Sequence, residues 1–363
     1  MQEEPQKPFS DVLDALFNED QVPVHLLFRL SDMLADEEKR FFAAWAEVED
    51  DRRQEIMRHL ADLAEDNFVV DFSPIFVKGL TDSLAGVRLA GLDGLWDATD
   101  VRLIPRVLGL MQTDEDPDVR ATAASTLAHY VLLSEWGQIP QRPLEPAIAA
   151  LLTAYEDEET AVAIRRSALE ALGAANHPRV PALIEDAYEN DDPAMQLSAI
   201  FAMGNSADPR WLPTILAEMT NPSAEMRAEA AQAAGAIGGS DAIPQLAELT
   251  QDDDEDVRAA AIVALGMIGG DDAQMILSDL LEDPDFEDLH EVIQESLEVL
   301  LLMSGELNLL SYLDGDTDDE DDDDYEFDED DEGDEDEDED DEDDDFTYSP
   351  FEEDDEDDDD FYG

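Results

Sequence analysis

Residues 254–270, DEDVRAAAIVALGMIGG, contain the pattern that predicts the fold. Acidic residues that suit a helix N-terminus come first, followed by a Val-Arg pair, by small and branched apolar residues at helical spacing, and by two glycines that suit a helix end. The same order recurs upstream in residues 116–128 (DPDVRATAASTLA), 159–173 (ETAVAIRRSALEALG) and 221–239 (NPSAEMRAEAAQAAGAIGG). Recurrence of one such unit along the chain predicts a repeat architecture.

The position of the arginine sets the phase of the units. Aligning the copies on it gives steps of 32, 45, 31, 31 and 31 residues. We call the aligned positions the ladder: Arg88, Arg120, Arg165, Gln196, Arg227 and Arg258. Prolines recur in the same phase near the start of the other helix of each pair, where a missing N–H is tolerated: Pro105, Pro181, Pro213 and Pro244. The sequence therefore predicts an all-α fold in which about six helix pairs stack as an α-solenoid.

The repeated motif, D-x-x-V-R-x-x-A-x-x-A-L-G, resembles that of HEAT repeats. It is nearly complete in residues 254–266, good in 116–127 and 161–173, and weaker in 194–204, where Gln196 replaces the arginine. The similarity is to the short bacterial form that also occurs in phycobilisome-lyase-like proteins. This resemblance implies a HEAT-like, right-handed superhelix whose second helices line the concave side. It also implies a range of roles, as scaffolds, adaptors, chaperones or lyase subunits.

Composition divides the chain into segments. We expect a disordered leader at 1–9, a divergent helical cap at 10–69 and the repeat array at 70–313, with a loop insertion near 134–146. The 50 residues at 314–363 contain 36 Asp and Glu and no Lys or Arg. Self-repulsion and a lack of aliphatic residues predict a disordered acidic tail there.

The charge balance limits the partners. The formal net charge is −79 at pH 7, and the part before the tail is also strongly acidic. Such a field repels nucleic acid and anionic membranes and favours protein partners that are basic or have a basic patch. There is no cysteine, no basic-apolar signal peptide and no apolar run long enough to span a bilayer. We therefore expect a soluble, cytoplasmic protein that is monomeric.

No residue set predicts a catalytic, cofactor or metal site. The five histidines are scattered without a metal-binding spacing, and no phosphate-binding glycine loop or nucleophile motif occurs. The arginines at the ladder positions are typical of structural pairing, each with an Asp of its own or a neighbouring unit. The alternative is a row that binds phosphate or carboxylate ligands. We expect the chain not to be an enzyme.

A candidate protein-binding site lies on the second helices of the pairs. Five residues after each ladder position the sequence reads Asp93, Ser125, Glu170, Phe201, Gln232 and Val263. If this row faces solvent, Phe201 and Val263 form an apolar spot in a polar groove, near Arg166. Partial burial of both side chains between neighbouring helices is the equally weighted alternative.

The acidic tail allows three interpretations: a solvating tail, a polyanion that engages basic proteins, or a lid on the N-terminal basic cluster of Lys39, Arg40, Arg52, Arg53 and Arg58. Seven aromatic residues within it favour contact over solvation. The leading hypothesis is a non-enzymatic scaffold or adaptor that uses the concave face, with the tail attracting basic partners or screening the groove. The alternatives are a chaperone of basic proteins that works through the tail and a lyase-like subunit that handles a tetrapyrrole chromophore.

Overall fold

Helices form all of the regular secondary structure in the part of the chain that the structure describes. The computed structural model describes residues 7–31, 33–67 and 69–304. The α-helices in these ranges are α1 (Phe9–Asn18), α2 (Val24–Leu27), α3 (Ala35–Trp45), α4 (Asp50–Asp66), α5 (Ser73–Gly79), α6 (Ala85–Asp93), α7 (Ile104–Thr113), α8 (Pro117–Glu135), α9 (Glu145–Glu156), α10 (Val162–Gly173), α11 (Val180–Tyr188), α12 (Pro193–Asn205), α13 (Leu212–Glu218), α14 (Ala224–Ile237), α15 (Ile243–Leu249), α16 (Glu255–Ile268), α17 (Gly270–Glu282) and α18 (His290–Ser304). The predicted all-α fold class is confirmed, whereas the predicted tail lies outside the described residues.

From α5 onward the helices form antiparallel pairs that stack as a solenoid. We call the first helix of each pair its A helix and the second its B helix. The described residues contain seven such pairs, from α5/α6 to α17/α18, where the sequence predicted about six. Each B helix packs on the B helix of the next pair, and α4 packs on α6 in the same way. The last helix of the N-terminal segment therefore acts as the first B helix of the array.

Local sequence explains where the helices begin and end. Pro105, at the start of α7, lies in the first turn of its A helix, as do the prolines of α11, α13 and α15. The side chains of Asp116 and Asp254 accept hydrogen bonds from backbone amides in the first turns of α8 and α16. Gly238 ends α14 with a positive φ of 79°, which glycine adopts without steric cost.

A column of glycines sets the separation of the B helices. A Cβ built at Gly204 would lie 2.7 Å from the Cα of Ala233 on the next B helix, and one at Gly235 would lie 2.8 Å from the Cα of Ala264. Gly173 and Gly266 make equivalent approaches. The missing side chains let successive B helices pack backbone against backbone.

The column stops at the end of the array. On α18, Ser296 contacts Gly266 as Ala264 contacts Gly235. Two residues after Ser296, where the earlier B helices have the column glycine, the chain has the exposed Glu298. A charged side chain at this position opposes the close approach of another B helix. Glu298 in place of the column glycine is typical of a terminal repeat.

Ion pairs join one unit to the turn of the next. Arg88 on α6 binds both carboxylate oxygens of Asp114, in the turn before α8, at 2.6 and 2.8 Å. Arg227 on α14 binds Asp252, in the turn before α16, at 2.7 and 2.8 Å. Both arginines also donate to a backbone carbonyl six residues upstream, in the turn of their own unit. One side chain thus ties together two consecutive turns.

The same connection occurs once outside the predicted ladder. Arg53 on α4 is buried, donates to the Val48 carbonyl at 2.8 Å and pairs with Asp82 at 3.1 Å, in the turn before α6. Since Asp82 precedes α6 as Asp114 precedes α8, Arg53 is the first member of the ladder. The N-terminal segment is therefore held to the array by the same ion pair as the repeats.

The remaining ladder residues differ in their partners. Arg258 pairs with Asp288 at 3.5 Å. Arg120 and Arg165 instead donate to the backbone carbonyls of Met111 and Tyr155, at 2.9 and 2.8 Å. For Arg165 the equivalent partner position in the next turn is an asparagine, Asn190, which offers no negative charge. Gln196 keeps only the bond to its own turn, to the Asn190 carbonyl at 2.8 Å.

Two of the expected segment boundaries differ from the helices. Phe9 begins α1 and is buried, so the expected leader does not reach residue 9. The connection in the region of the expected insertion covers residues 136–144, because α8 continues to Glu135 and Pro146 lies in the first turn of α9. Trp136, directly after α8, is 68% exposed.

Candidate protein-binding face

The row that lies five residues after the ladder positions is mostly exposed to solvent. We call this row the B-helix face. Its members are Asp93, Ser125, Glu170, Phe201, Gln232 and Val263, of which Glu170 is half-buried and the others are exposed. Each member lies on a different B helix, from α6 to α16. The row is therefore one continuous surface along six units.

An ordered polar chain lies at the centre of this face. The Arg166 Nε on α10 donates to the Ser198 hydroxyl on α12 at 2.8 Å, and that hydroxyl donates to Glu170 at 2.5 Å. The guanidinium of Arg166 also lies 3.8 Å from the Glu170 carboxylate. Because Ser198 is buried, these hydrogen bonds fix the side chains of α10 against α12. Phe201 is one helical turn after Ser198 and is 38% exposed.

Glu229, on α14, has a half-buried carboxylate beside the hydrogen-bonded side chains of Arg166, Ser198 and Glu170. Burial, with added repulsion from Glu170 and Glu225, raises the pKa of Glu229 from 4.5 to about 7. No described residue forms a hydrogen bond or an ion pair with this carboxylate. An uncompensated negative charge on a packed helix face is destabilising and favours a cationic ligand.

Glu229→Gln is expected to stabilise the chain by about 1–2 kcal/mol at pH 8 and to have little effect at pH 4.5. A carboxyl group whose pKa is raised on folding binds its proton more tightly in the folded state. The wild-type chain therefore loses stability as the pH rises from about 4.5 to about 7. Urea unfolding at a series of pH values measures this slope. Glu248→Gln, an exposed site on α15, is the control and should leave the slope unchanged; an unchanged slope in Glu229→Gln contradicts the assignment.

The apolar members of the face are divided between two places. Phe201 on α12 and Val263 on α16 are separated by α14, which puts Gln232 between them. The two side chains therefore do not form the single spot that was expected. Val263, 42% exposed, is instead followed one turn later by Met267, 40% exposed, on the same helix. Extending the row by one helical turn in the sequence would have identified Met267.

The ladder does not contribute a row of free cations to this face. The guanidinium groups of Arg88, Arg120, Arg165, Arg227 and Arg258 all bind turn carboxylates or backbone carbonyls. Because these groups are bonded to the turns, they have a structural role and do not form a row that binds phosphate or carboxylate ligands. Arg166, which is next to Arg165 in sequence, is the arginine that lies on the B-helix face.

Much of the N-terminal basic cluster is also paired. Arg53 is buried in the ladder, and Arg52 pairs with Glu55 at 3.3 Å and donates to the Glu19 carbonyl. Lys39 lies 3.8 Å from Asp36. In the described residues this leaves Arg40 and Arg58 exposed without an ion pair. The surface expected to receive the tail as a lid therefore offers less free charge than its sequence indicates.

Two kinds of feature are absent from the described residues. No group of three or more His, Asp or Glu side chains is arranged to hold a metal ion. No helix has the length and apolar character needed to cross a bilayer.

Comparison with protein families identifies the repeats. A family model described as HEAT repeats matches residues 180–255 and 212–298, and a model of the single HEAT repeat matches residues 103–132. The chain carries HEAT repeats. The matches extend over α7 and α8 and from α11 into α18. The HEAT repeats therefore include Phe201, Val263 and Met267 of the candidate face, whereas α4 and α6 lie outside the matched ranges.

Solved structures with similar folds are distant in sequence. The Escherichia coli protein YibA is 17% identical, with 66% of this chain and 95% of that chain covered and a TM-score of 0.37. Human deoxyhypusine hydroxylase in complex with glycerol is 18% identical, with 82% and 96% covered and a TM-score of 0.32. A chain of the Kap95p–RanGDP structure is 15% identical, with 83% and 46% covered and a TM-score of 0.40. No curated protein matches the sequence.

Proposed function

We propose that this HEAT-repeat chain is a non-enzymatic scaffold or adaptor that holds a protein partner on the B-helix face. The observation that carries the proposal is Phe201, a large aromatic side chain that is 38% exposed beside the ordered Arg166–Ser198–Glu170 chain. Exposed aromatic side chains on rigid, polar surroundings are typical anchors of protein interfaces. Val263 and Met267 supply a second apolar contact two B helices away.

The negative charge of this protein supports the proposal that its partner is basic. Glu229 carries an unpaired carboxylate on this face, and the 36 acidic residues of the tail produce a strong negative field. Such a field attracts basic proteins and accelerates their encounter, and it screens the face from acidic ones. The scaffold acts as a cytoplasmic monomer, without a cofactor and without direct contact to nucleic acid or membrane.

The second candidate is a chaperone of basic proteins that works through the tail alone. The absence of Lys and Arg from the 50 tail residues favours it. In that case binding depends on ionic strength and is independent of Phe201. No residue set among those described favours the handling of a tetrapyrrole.

Affinity capture from lysate with three matched baits distinguishes these functions. The full chain, Phe201→Asp and the control Trp136→Asp, which alters an exposed aromatic outside the face, are each used at low and high salt. We expect partners that persist at high salt, remain with Trp136→Asp and are lost with Phe201→Asp. Partners that remain with Phe201→Asp but disappear from a chain ending at Leu313 indicate the tail-dependent chaperone and contradict the scaffold.

A further inference from the structure

A cleft of about 720 Å³ lies at the N-terminal end of the B-helix face, between α4 and α6. Its walls belong to the first two B helices of the array. The residues that matter here are Arg58, Glu65, Leu89, Asp93 and Trp96. Asp93 is also the first member of the B-helix face, so the cleft continues the proposed binding surface.

One end of the cleft is negatively charged. Asp93 is exposed as a residue, yet enough protein surrounds its carboxylate for burial to raise its pKa, with added repulsion from Glu65. The nearest ladder arginine, Arg88, is bound to Asp114 and does not compensate this charge. Arg58 lies seven residues before Glu65 on α4, about 10 Å away along the helix. Two carboxylates from facing helices thus lie at one end of the cleft, and no basic side chain compensates their charge there.

Apart from the polar side chains of Gln54, Arg58 and Asp62, the rest of the cleft is apolar and suits an aliphatic chain. Ala61, Leu89 and Ala90 contribute apolar surface between the two helices, and Trp96 presents a partly exposed ring at the acidic end. A side chain with a long apolar stem and a cationic head matches this order, because the stem covers the apolar surface while the head meets the carboxylates and the indole ring. A bare divalent cation does not match it, since no group of three carboxylate or histidine side chains converges among the described residues.

We infer that this cleft receives a lysine or arginine side chain of the protein partner. The inference rests on the proposed scaffold function and specifies how one part of the B-helix face recognises its ligand. The cation compensates the repulsion between Glu65 and Asp93, and the indole of Trp96 packs on its head or on the adjoining stem. Binding therefore requires both the charge of the head and the length of the stem.

The test uses the full chain with ¹⁵N-labelled tryptophan and short neutral-ended peptides as probes. Acetyl-Gly-Arg-Gly-amide and its lysine analogue are titrated while the indole N–H signal of Trp96, assigned with Trp96→Phe, is followed by NMR. The norleucine analogue keeps the stem and removes the charge. We expect saturable shifts with arginine or lysine and none with norleucine.

The contribution of the two carboxylates to peptide binding is tested with the double variant Glu65→Gln/Asp93→Asn. We expect the affinity to fall at least about tenfold, whereas Asp279→Asn/Glu282→Gln, which removes equal charge from α17, changes it less than about twofold. Any one of three results overturns the inference. These are an unshifted Trp96 signal with both cationic peptides, an equal shift with the norleucine peptide, and an unchanged affinity in Glu65→Gln/Asp93→Asn. None of these outcomes affects the dependence of partner capture on Phe201, so a failure of the cleft is distinguishable from a failure of the scaffold.

Discussion

Replacing Gly204 with valine is expected to lower the free energy of unfolding by about 3 kcal/mol. The first added atom, the Cβ, would lie 2.7 Å from the Cα and 2.9 Å from the Cβ of Ala233. Neither atom belongs to the end of a flexible side chain, so the two B helices must move apart. Movement of α12 from α14 disturbs packing on both sides because each B helix contacts the next. Urea unfolding followed by far-ultraviolet circular dichroism measures the loss.

Gly109→Val is the matched control for this prediction. Gly109 is inside an A helix, α7, and a Cβ built there meets no atom within 4 Å. Valine has a slightly higher helix propensity than glycine, so this variant should be neutral or slightly more stable. Equal stability of the two valine variants would show that the glycine column does not set the helix separation.

Arg88→Met is expected to cost about 2–3 kcal/mol. The Asp114 side chain is only 5% exposed and receives two hydrogen bonds from Arg88. Burial opposes ionisation of Asp114, but the bonds from Arg88 and from the Asp116 amide outweigh it and lower the pKa. Methionine keeps much of the apolar stem but leaves a buried carboxylate without its cation. Denaturant unfolding at pH 7 measures the effect.

The pH dependence separates the lost ion pair from a general loss of packing. A carboxylate whose pKa is lowered on folding stabilises the chain above its unfolded pKa, near 3.8, and this contribution disappears as the pH falls through the folded value. The difference between Arg88→Met and the wild type should therefore shrink below about pH 4. Arg102→Met removes a more exposed pair, in which the Arg102 side chain is 87% exposed, and should have a smaller effect than Arg88→Met. A deficit of Arg88→Met that does not depend on pH contradicts the ion-pair explanation.

The sequence was sufficient to predict the solenoid because its packing is local and repeated. Gly204 and Gly235 recur in register, and proline recurs in the first turn of the A helices from α5 to α15. The ladder was less predictable, since the partner of each arginine lies in the next turn. Arg88 binds Asp114 there, whereas the equivalent position for Arg165 is Asn190, which carries no charge. Arg53 was missed because α4 lacks the Val-Arg pair, although it occupies the same place in the stack.

The candidate face was predictable only in part. A fixed offset from the ladder placed Phe201 and Val263 on one row, because B helices stack in register. The offset left open whether this row is exposed, and it already put Gln232, on the intervening unit, between the two apolar residues. The raised pKa of Glu229 and the proximity of Glu65 to Asp93 depend on helix–helix distances that periodicity does not supply. The repeated stacking of the helices was therefore predictable, whereas the electrostatic contacts of individual side chains between helices were not.

The proposed partner site is the B-helix face. Hydrogen–deuterium exchange of the full chain, alone and with a captured partner, locates the contact surface. We predict slower exchange in α10, α12, α14 and α16, where Phe201 and Val263 lie, and unchanged exchange in the A helices α9, α11, α13 and α15. Protection confined to the A helices, or to residues 314–363 alone, would contradict it.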